Sequence, residues 1–291
     1  MEGEIMSVNT VAVIGAGIMG RGIAHVAAMG GLTTILNDVS QDLLNKAKER
    51  VRQDLKKGVE IGKVSSDLMN STLERLSLET DLERTAQKAD IVIEAVPERI
   101  DLKLQIFSRV DKASPAHTVL ASNTSALSIT EMAGATKRPH QFIGMHFFNP
   151  VHKMKLVEII RGLETNEETF KIAETVSKQM GKETVEVKES PGFVTSRVNA
   201  MIGNEAFYML QEGVASARDI DKALKLGLNH PMGPFEMVDL VGLDTRLSIL
   251  QFLHETLGEK YRPCPLMVKY VKAGRLGKKV GKGVYEYPDS V

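Results

Sequence analysis

The apolar positions of this chain change their period partway along it. Residues 11–14, Val-Ala-Val-Ile, form a short run without polar alternation, the pattern of a strand covered on both faces. A glycine-rich turn follows. Residues 18–28 then carry apolar side chains all round, as a helix packed on a sheet does, until Gly30-Gly31 ends it. Residues 32–36 are a second β-rich run that stops at Asn37-Asp38. Ser40 is placed to cap a long, charged helix reaching about Lys57. A second helix is predicted over 66–76, and the pair reads as a helical arm inserted into the strand–helix alternation. Further strands are expected at 91–96, 119–121, 142–148, 155–160 and 184–187, with helices over 102–110 and 169–180. Such alternation predicts an α/β fold, a doubly wound and mainly parallel sheet of the Rossmann type.

The pattern changes at Glu189-Ser-Pro-Gly192. From Thr195 onward the spacing is helical, and no strand is expected before a closing segment at 284–287. Met201, Ile202, Ala206, Met209 and Leu210 fall at spacings that make one apolar face. Ser216 with Asp219 opens another helix, and Pro231-Met-Gly-Pro234 breaks the chain before the next. The expected organisation is therefore an α/β domain over residues 1–189 and an all-α C-terminal domain over 190–291. The length allows this, since single cores stop growing near ~250–300 residues.

Composition narrows the partners. Lys plus Arg and Asp plus Glu both number 37, a formal charge of zero, which gives no electrostatic reason to expect nucleic acid or a membrane surface. No apolar run approaches the ~20 residues of a membrane span. Residues 1–9 are acidic and polar and lack the basic start and apolar core of a secretion signal. Cys264 is the sole cysteine, so an intrachain disulfide and a cysteine metal cluster are both excluded. These features together point to the reducing cytoplasm.

Gly15-Ala-Gly17-Ile18-Met19-Gly20 matches GxGxxG directly after the first strand and at the opening of a helix. In that setting Gly15 permits the turn, Gly17 lets the backbone approach a pyrophosphate, and Gly20 allows close helix–sheet packing. The helix start, at Ile18 and Met19, presents N–H groups and a partial positive charge to the phosphates. Asp38 ends the second strand, where a carboxylate grips ribose hydroxyls and repels a 2′-phosphate, which favours NAD over NADP. Asp38 also fits a plain turn or cap residue.

Transfer of hydride from an alcohol to such a cofactor needs a base for the hydroxyl proton. His146, in Gly-Met-His-Phe-Phe-Asn-Pro, lies at the end of an apolar strand, where ligands sit in open α/β sheets. A satisfied core histidine fits the same position. Glu158 is a single carboxylate in Leu156-Val-Glu-Ile-Ile160, where an unpaired charge is costly. It either pairs with a nearby imidazole or points to solvent at a sheet edge, and spacing does not decide. Ser122-Asn123-Thr-Ser125 supplies hydroxyl and amide groups at another strand end. Ser125 fits a substrate oxygen, or the segment to Ser128 simply caps the next helix.

The motifs Val-Ile-Gly-Ala-Gly-Ile-Met-Gly, Ala-Ser-Asn-Thr-Ser, Gly-Met-His-Phe-Phe-Asn-Pro, Met-Lys-Leu-Val-Glu-Ile-Ile, Ser-Pro-Gly-Phe-Val and Pro-Met-Gly-Pro-Phe-Glu follow one another from about Thr10 to Tyr287. In this the chain resembles the L-3-hydroxyacyl-CoA dehydrogenase family, and within it the stand-alone bacterial 3-hydroxybutyryl-CoA dehydrogenases. The resemblance implies NAD as cofactor and an acyl-CoA as substrate. It implies His146 as catalytic base, Glu158 as its paired carboxylate, and Ser125 as a contact of the substrate oxygen. It implies cofactor contacts at Asn123, Glu98 and Lys103, and at Lys279 of the C-terminal Gly-Lys-Lys segment. Coenzyme A is expected on the helical arm, with Lys57 and Lys63 as candidates for its phosphates, though a solvated charged face explains either lysine equally well. A homodimer joined through the helical domain is also implied. One position departs from the family pattern: Ser196, in Pro191-Gly-Phe-Val-Thr-Ser196-Arg197, stands where most members carry a substrate-orienting asparagine. Its hydroxyl can still donate, but over a shorter reach.

Other readings compete. The same architecture serves β-hydroxyacid and sugar-acid dehydrogenases that use no coenzyme A. Ser196 lends some support to a non-catalytic NAD-binding protein, against which His146 and Glu158 stand. A module of a larger β-oxidation enzyme is disfavoured, because the chain starts just before its first strand and ends cleanly.

Overall fold

The computed structural model describes residues 6–287. Residues 1–5, part of the segment whose composition argues against a secretion signal, and 288–291 lie outside the described residues. The chain divides into two compact units, Met1–Glu189 and Ser190–Val291.

The first unit begins β1 (Thr10–Ile14), α1 (Ile18–Met29), β2 (Thr33–Asn37), α2 (Gln41–Glu60), α3 (Ser66–Arg75), β3 (Leu76–Glu79) and α4 (Leu82–Ala86). It continues β4 (Ile91–Glu94), α5 (Ile100–Ala113), β5 (Val119–Ser122), α6 (Ile129–Gly134), β6 (Phe142–Phe147), β7 (Leu156–Arg161), α7 (Glu167–Gln179) and β8 (Glu183–Lys188). The eight strands form one sheet in the order β3-β2-β1-β4-β5-β6-β7-β8. Neighbours are parallel except β6 and β7, which run antiparallel. The α/β architecture expected from strand–helix alternation is therefore present.

Two strand expectations need correction. The helix predicted over 66–76 stops at Arg75, and Leu76–Glu79 pairs with β2 as the edge strand β3. Leu76-Ser-Leu-Glu alternates apolar and polar, but four residues are too short for period two to stand out beside a helix ending. The strand expected at 284–287 does not form. Only isolated bridges occur there, because the N–H groups of Val284 and Tyr285 donate to the Asp239 carboxylate at 2.8 and 2.9 Å instead of to a neighbouring strand.

The helical arm, α2 and α3, is held by a stripe. Leu44, Ala47, Val51 and Leu55 recur every three or four residues and are all buried. Full burial of a leucine contributes roughly 1.5–3 kcal/mol. Ser40 and Ser65 cap the two helices by accepting from the N–H groups of Leu43 and Leu68.

The second unit holds α8 (Thr195–Gln211), α9 (Ala217–Gly227), α10 (Pro234–Val241), α11 (Leu243–Leu257) and α12 (Pro265–Lys272) around Phe207, Phe235, Leu250, Leu253, Tyr261 and Cys264. The buried face of α8 is Ala200, Gly203, Asn204, Ala206 and Phe207. Of the five residues expected to form it, Ala206 is fully buried, and Met201, Met209 and Leu210 are partly buried and pack against the same core. Gly203 stands on that face because α10 comes close: a Cβ there would lie 2.9 Å from the Val238 side chain. No helix among the described residues is long and apolar enough to cross a membrane.

Candidate active site

The turn between β1 and α1 is shaped by two glycines. Gly15 has φ +102°, and a Cβ there would press on the Ala95 carbonyl oxygen; a Cβ on Gly20 would overlap the Gly15 carbonyl. Gly17 differs, for a Cβ on it would meet nothing within 4 Å. Gly17 is also the N-cap of α1, with no side-chain cap and no acidic residue in the first turn. Ile18 is exposed and Met19 is half-buried. A bare backbone and an uncapped helix start fit a bound pyrophosphate.

Asp38 follows β2. Its Oδ2 accepts from Ala16 N–H at 2.8 Å and its Oδ1 from Ser40 N–H at 3.3 Å. The cap of α2 is Ser40, not Asp38, so the cap reading of Asp38 falls. Its carboxylate is tied to the glycine turn and half-exposed beside it, and its remaining lone pairs suit a ribose diol. The residues present thus fit NAD.

His146 and Glu158 are direct cross-strand partners in the antiparallel pair of β6 and β7. Opposed residues in such a pair put their side chains on one face, and His146 Nδ1 lies 2.7 Å from Glu158 Oε2. Glu158 is fully buried and His146 nearly so. β7 is an interior strand between β6 and β8, which removes the reading of Glu158 as a solvent-facing edge residue. A carboxylate oxygen accepts, so this contact calls for the ring proton on Nδ1, facing Glu158. The Phe148 ring lies 4.5 Å away, centroid to centroid.

A second network joins the ends of β4 and β5. Glu94, the last residue of β4 and fully buried, accepts from Lys103 Nζ at 2.7 and 2.9 Å, from Val96 N–H at 2.7 Å and from Ser122 Oγ at 2.6 Å. Lys103, 1% exposed, also reaches Glu98 Oε2 at 3.1 Å. Its ammonium is thus taken up by two carboxylates, and as a candidate cofactor contact it lies behind Glu98. Glu98 Oε1 accepts from Thr124 Oγ1, from Ser125 N–H at 2.9 Å and from Ser125 Oγ at 3.4 Å. Burial raises the Glu98 pKa, but the Lys103 charge and the hydrogen bonds from Thr124 and Ser125 outweigh it and hold the carboxyl below its usual value.

Ser125 is not a helix cap; Ser128 caps α6 by accepting from Glu131 N–H. Asn123 accepts from Phe147 N–H at 2.9 Å, which ties this loop to the end of β6. Sequence reasoning missed Glu94 and pointed to Ser122 and Thr124 only as part of a hydroxyl-rich strand end. Glu94 carried a signal, since it is a lone carboxylate in Ile-Val-Ile-Glu, the same feature that drew attention to Glu158. Lys57 and Lys63 are exposed at the end of α2 and in the turn after it. In the second unit, Ser196 is the half-buried second residue of α8, and Lys279 Nζ contacts both Asp244 oxygens at 2.7 and 2.6 Å. Among the described residues no group of three or more His, Cys, Asp or Glu side chains could hold a metal ion.

Comparison with known proteins gives this arrangement its family. Residues 10–190 match the model of the 3-hydroxyacyl-CoA dehydrogenase NAD-binding domain, and residues 192–287 match that of the 3-hydroxyacyl-CoA dehydrogenase C-terminal domain. A probable 3-hydroxybutyryl-CoA dehydrogenase of Bacillus subtilis is 49% identical over 98% of this chain and 99% of its own length. The human mitochondrial hydroxyacyl-coenzyme A dehydrogenase is 42% identical over 96% of this chain and 91% of its own. The crystal structure of (S)-3-hydroxybutyryl-CoA dehydrogenase from Ralstonia eutropha superposes with a TM-score of 0.95 at 44% identity, covering 97% of this chain and 100% of that one. With both halves matched in order and these relatives aligned nearly end to end, the chain belongs to the 3-hydroxyacyl-CoA dehydrogenase family.

Proposed function

We propose that this protein is an NAD-dependent dehydrogenase that interconverts a short (S)-3-hydroxyacyl-CoA, foremost 3-hydroxybutyryl-CoA, with the matching 3-ketoacyl-CoA. The observation that carries the reading is the buried contact between His146 Nδ1 and Glu158 Oε2 at 2.7 Å, in a chain whose relatives are named for this reaction. The glycine turn, the start of α1 and Asp38 hold NAD, which when bound accepts or returns the hydride of the substrate C3. His146 Nε2 takes the hydroxyl proton in the oxidising direction and gives it back in the reducing one. Glu158 fixes the ring's tautomer and offsets the charge of the imidazolium. Ser125, anchored through its N–H on Glu98, offers its hydroxyl to the substrate oxygen, and Ser196 is a further hydroxyl donor carried by α8. Lys57 and Lys63 supply positive charge for the phosphates of coenzyme A. The protein acts as a homodimer joined through its helical unit. A cytoplasmic setting is part of the same proposal.

The substrate class is tested by following NADH loss with acetoacetyl-CoA and, separately, with free acetoacetate. Rapid loss with the thioester alone is expected. Loss with the free acid alone would move the protein to a dehydrogenase that uses no coenzyme A.

A further inference from the structure

Arg246 lies on the buried stripe of α11 together with Leu243, Leu247, Leu250 and Leu253, and only 4% of it is exposed. Burial at this level strips most of the water from a guanidinium and calls for a carboxylate or carbonyl oxygens in exchange. The other buried lysine and arginine side chains of the described residues have them. Lys103 is held by Glu94 and Glu98, and Lys182 donates to the carbonyl oxygens of Val151 and Met154. Arg246 does not: among the described residues its Nε has no partner. Burial acts on it with no carboxylate to oppose the effect and pushes its pKa down to about 10. A chain that keeps a cation in this position has its counter-charge elsewhere.

The surroundings say where. Leu240 and Val241, on the last turn of α10, are 52% and 38% exposed and lead through Gly242 directly into α11. Exposed aliphatic side chains beside an unsatisfied arginine match the centre of a protein interface, where Arg is enriched and other charges are depleted. One cavity of this unit, about 500 Å³, is lined by Arg218, Asp221, Lys225, Glu236, Tyr285 and other residues but not by Arg246, so a small anion settling there leaves Arg246 unpaired. The same unit carries exposed carboxylates, Glu205 on α8 and Glu255 on α11. We propose that Arg246 is the cationic half of a buried ion pair whose carboxylate comes from the helical unit of a second copy of this chain. Two such pairs, related by two-fold symmetry, then close the dimer. This inference rests on the dimer proposed above.

Sedimentation equilibrium of the full chain over a dilution series, with thermal melts alongside, tests it in the wild type, Arg246→Met and Arg246→Lys. Arg246→Met weakens self-association at least about tenfold, because the partner's carboxylate is left buried alone. At concentrations where both are monomeric, Arg246→Met melts higher than the wild type, since the monomer no longer buries a lone charge. Arg246→Lys keeps the charge and loses less of the association, which separates a lost ion pair from a misfolded variant. Arg246→Met dimers as tight as the wild type, from folded protein, would overturn the proposal while leaving the dimer intact. A wild type that stays monomeric throughout would overturn the dimer and the inference with it. Inorganic phosphate that raises the melt of the wild type but not of Arg246→Met, with self-association unchanged, would assign the site to a free anion and overturn the second copy as its source.

Discussion

Asp38 spends two of its acceptor positions on the N–H groups of Ala16 and Ser40, so its charge is aimed before any cofactor arrives. Asp38→Asn keeps the shape and removes the charge. The preference for NADH over NADPH should then fall at least about tenfold, the loss of one charge-assisted hydrogen bond of ~1.5–3 kcal/mol. Binding titrations of the two cofactors check this, and an unchanged preference would contradict the role given to Asp38. At this scale the sequence was legible where a residue type clashed with its surroundings. Glu158 was singled out because it stood alone in an apolar strand, and Glu94 carried the same signal without being read; both are buried and paired. The partner was not legible. Whether His146 meets Glu158 depends on β6 and β7 being antiparallel with these two residues opposed, and a slip of one residue would turn Glu158 to the other face.

Among elements, the loops after β4 and β5 owe their shape to the chain of contacts Glu94, Lys103, Glu98 and Ser125. Removing one partner of a buried pair costs roughly 3–5 kcal/mol, so Glu94→Gln should lower unfolding stability by that order and raise KM for the thioester as the Ser125 loop slackens. Arg109→Ala is the control. It breaks a surface pair with Glu83, 2.8 Å long but about half exposed on both sides, which contributes ~1 kcal/mol or less. Equal losses in urea unfolding of the two variants would contradict the weight placed on burial. The helical arm gives a separate prediction: replacing Lys57 and Lys63 together by Ala should raise KM for acetoacetyl-CoA several-fold and leave kcat and NADH affinity unchanged. Unaltered KM would return both lysines to a solvated face. Most elements were legible because their periods run long enough, as in α2, whose buried stripe spans three turns. β3 and the 284–287 segment were not, since both are short and their hydrogen bonds are decided by distant partners, β2 in one case and Asp239 in the other.

For the whole molecule, stability should begin to fall already in mild acid. His25 on α1 is 4% exposed and its Nε2 has no partner among the described residues. Burial first, then the charge of His152 and of Lys182, lower its pKa to about 4, with Asp54 opposing them. The unfolded chain binds this proton near pH 6.5 and the folded one only near 4, so the stability contributed by neutral His25 is complete above about 6.5. It is lost as pH falls toward 4, by about 3 kcal/mol in all. His25→Leu should flatten that part of the stability curve, and an unchanged acid slope in denaturant titrations would contradict it. Two units of different composition were legible from the change of period near residue 190, because a sheet and a helical bundle bury their apolar residues at different spacings. What each unit contributes to catalysis rests instead on chemistry, and above all on His146. The most direct test is therefore the rate of NADH oxidation by acetoacetyl-CoA at saturating substrate in the wild type and in His146→Gln. A fall in kcat of about a hundredfold or more, with NADH and thioester still bound at near wild-type affinity, is the predicted result. Turnover in His146→Gln close to that of the wild type would contradict the account.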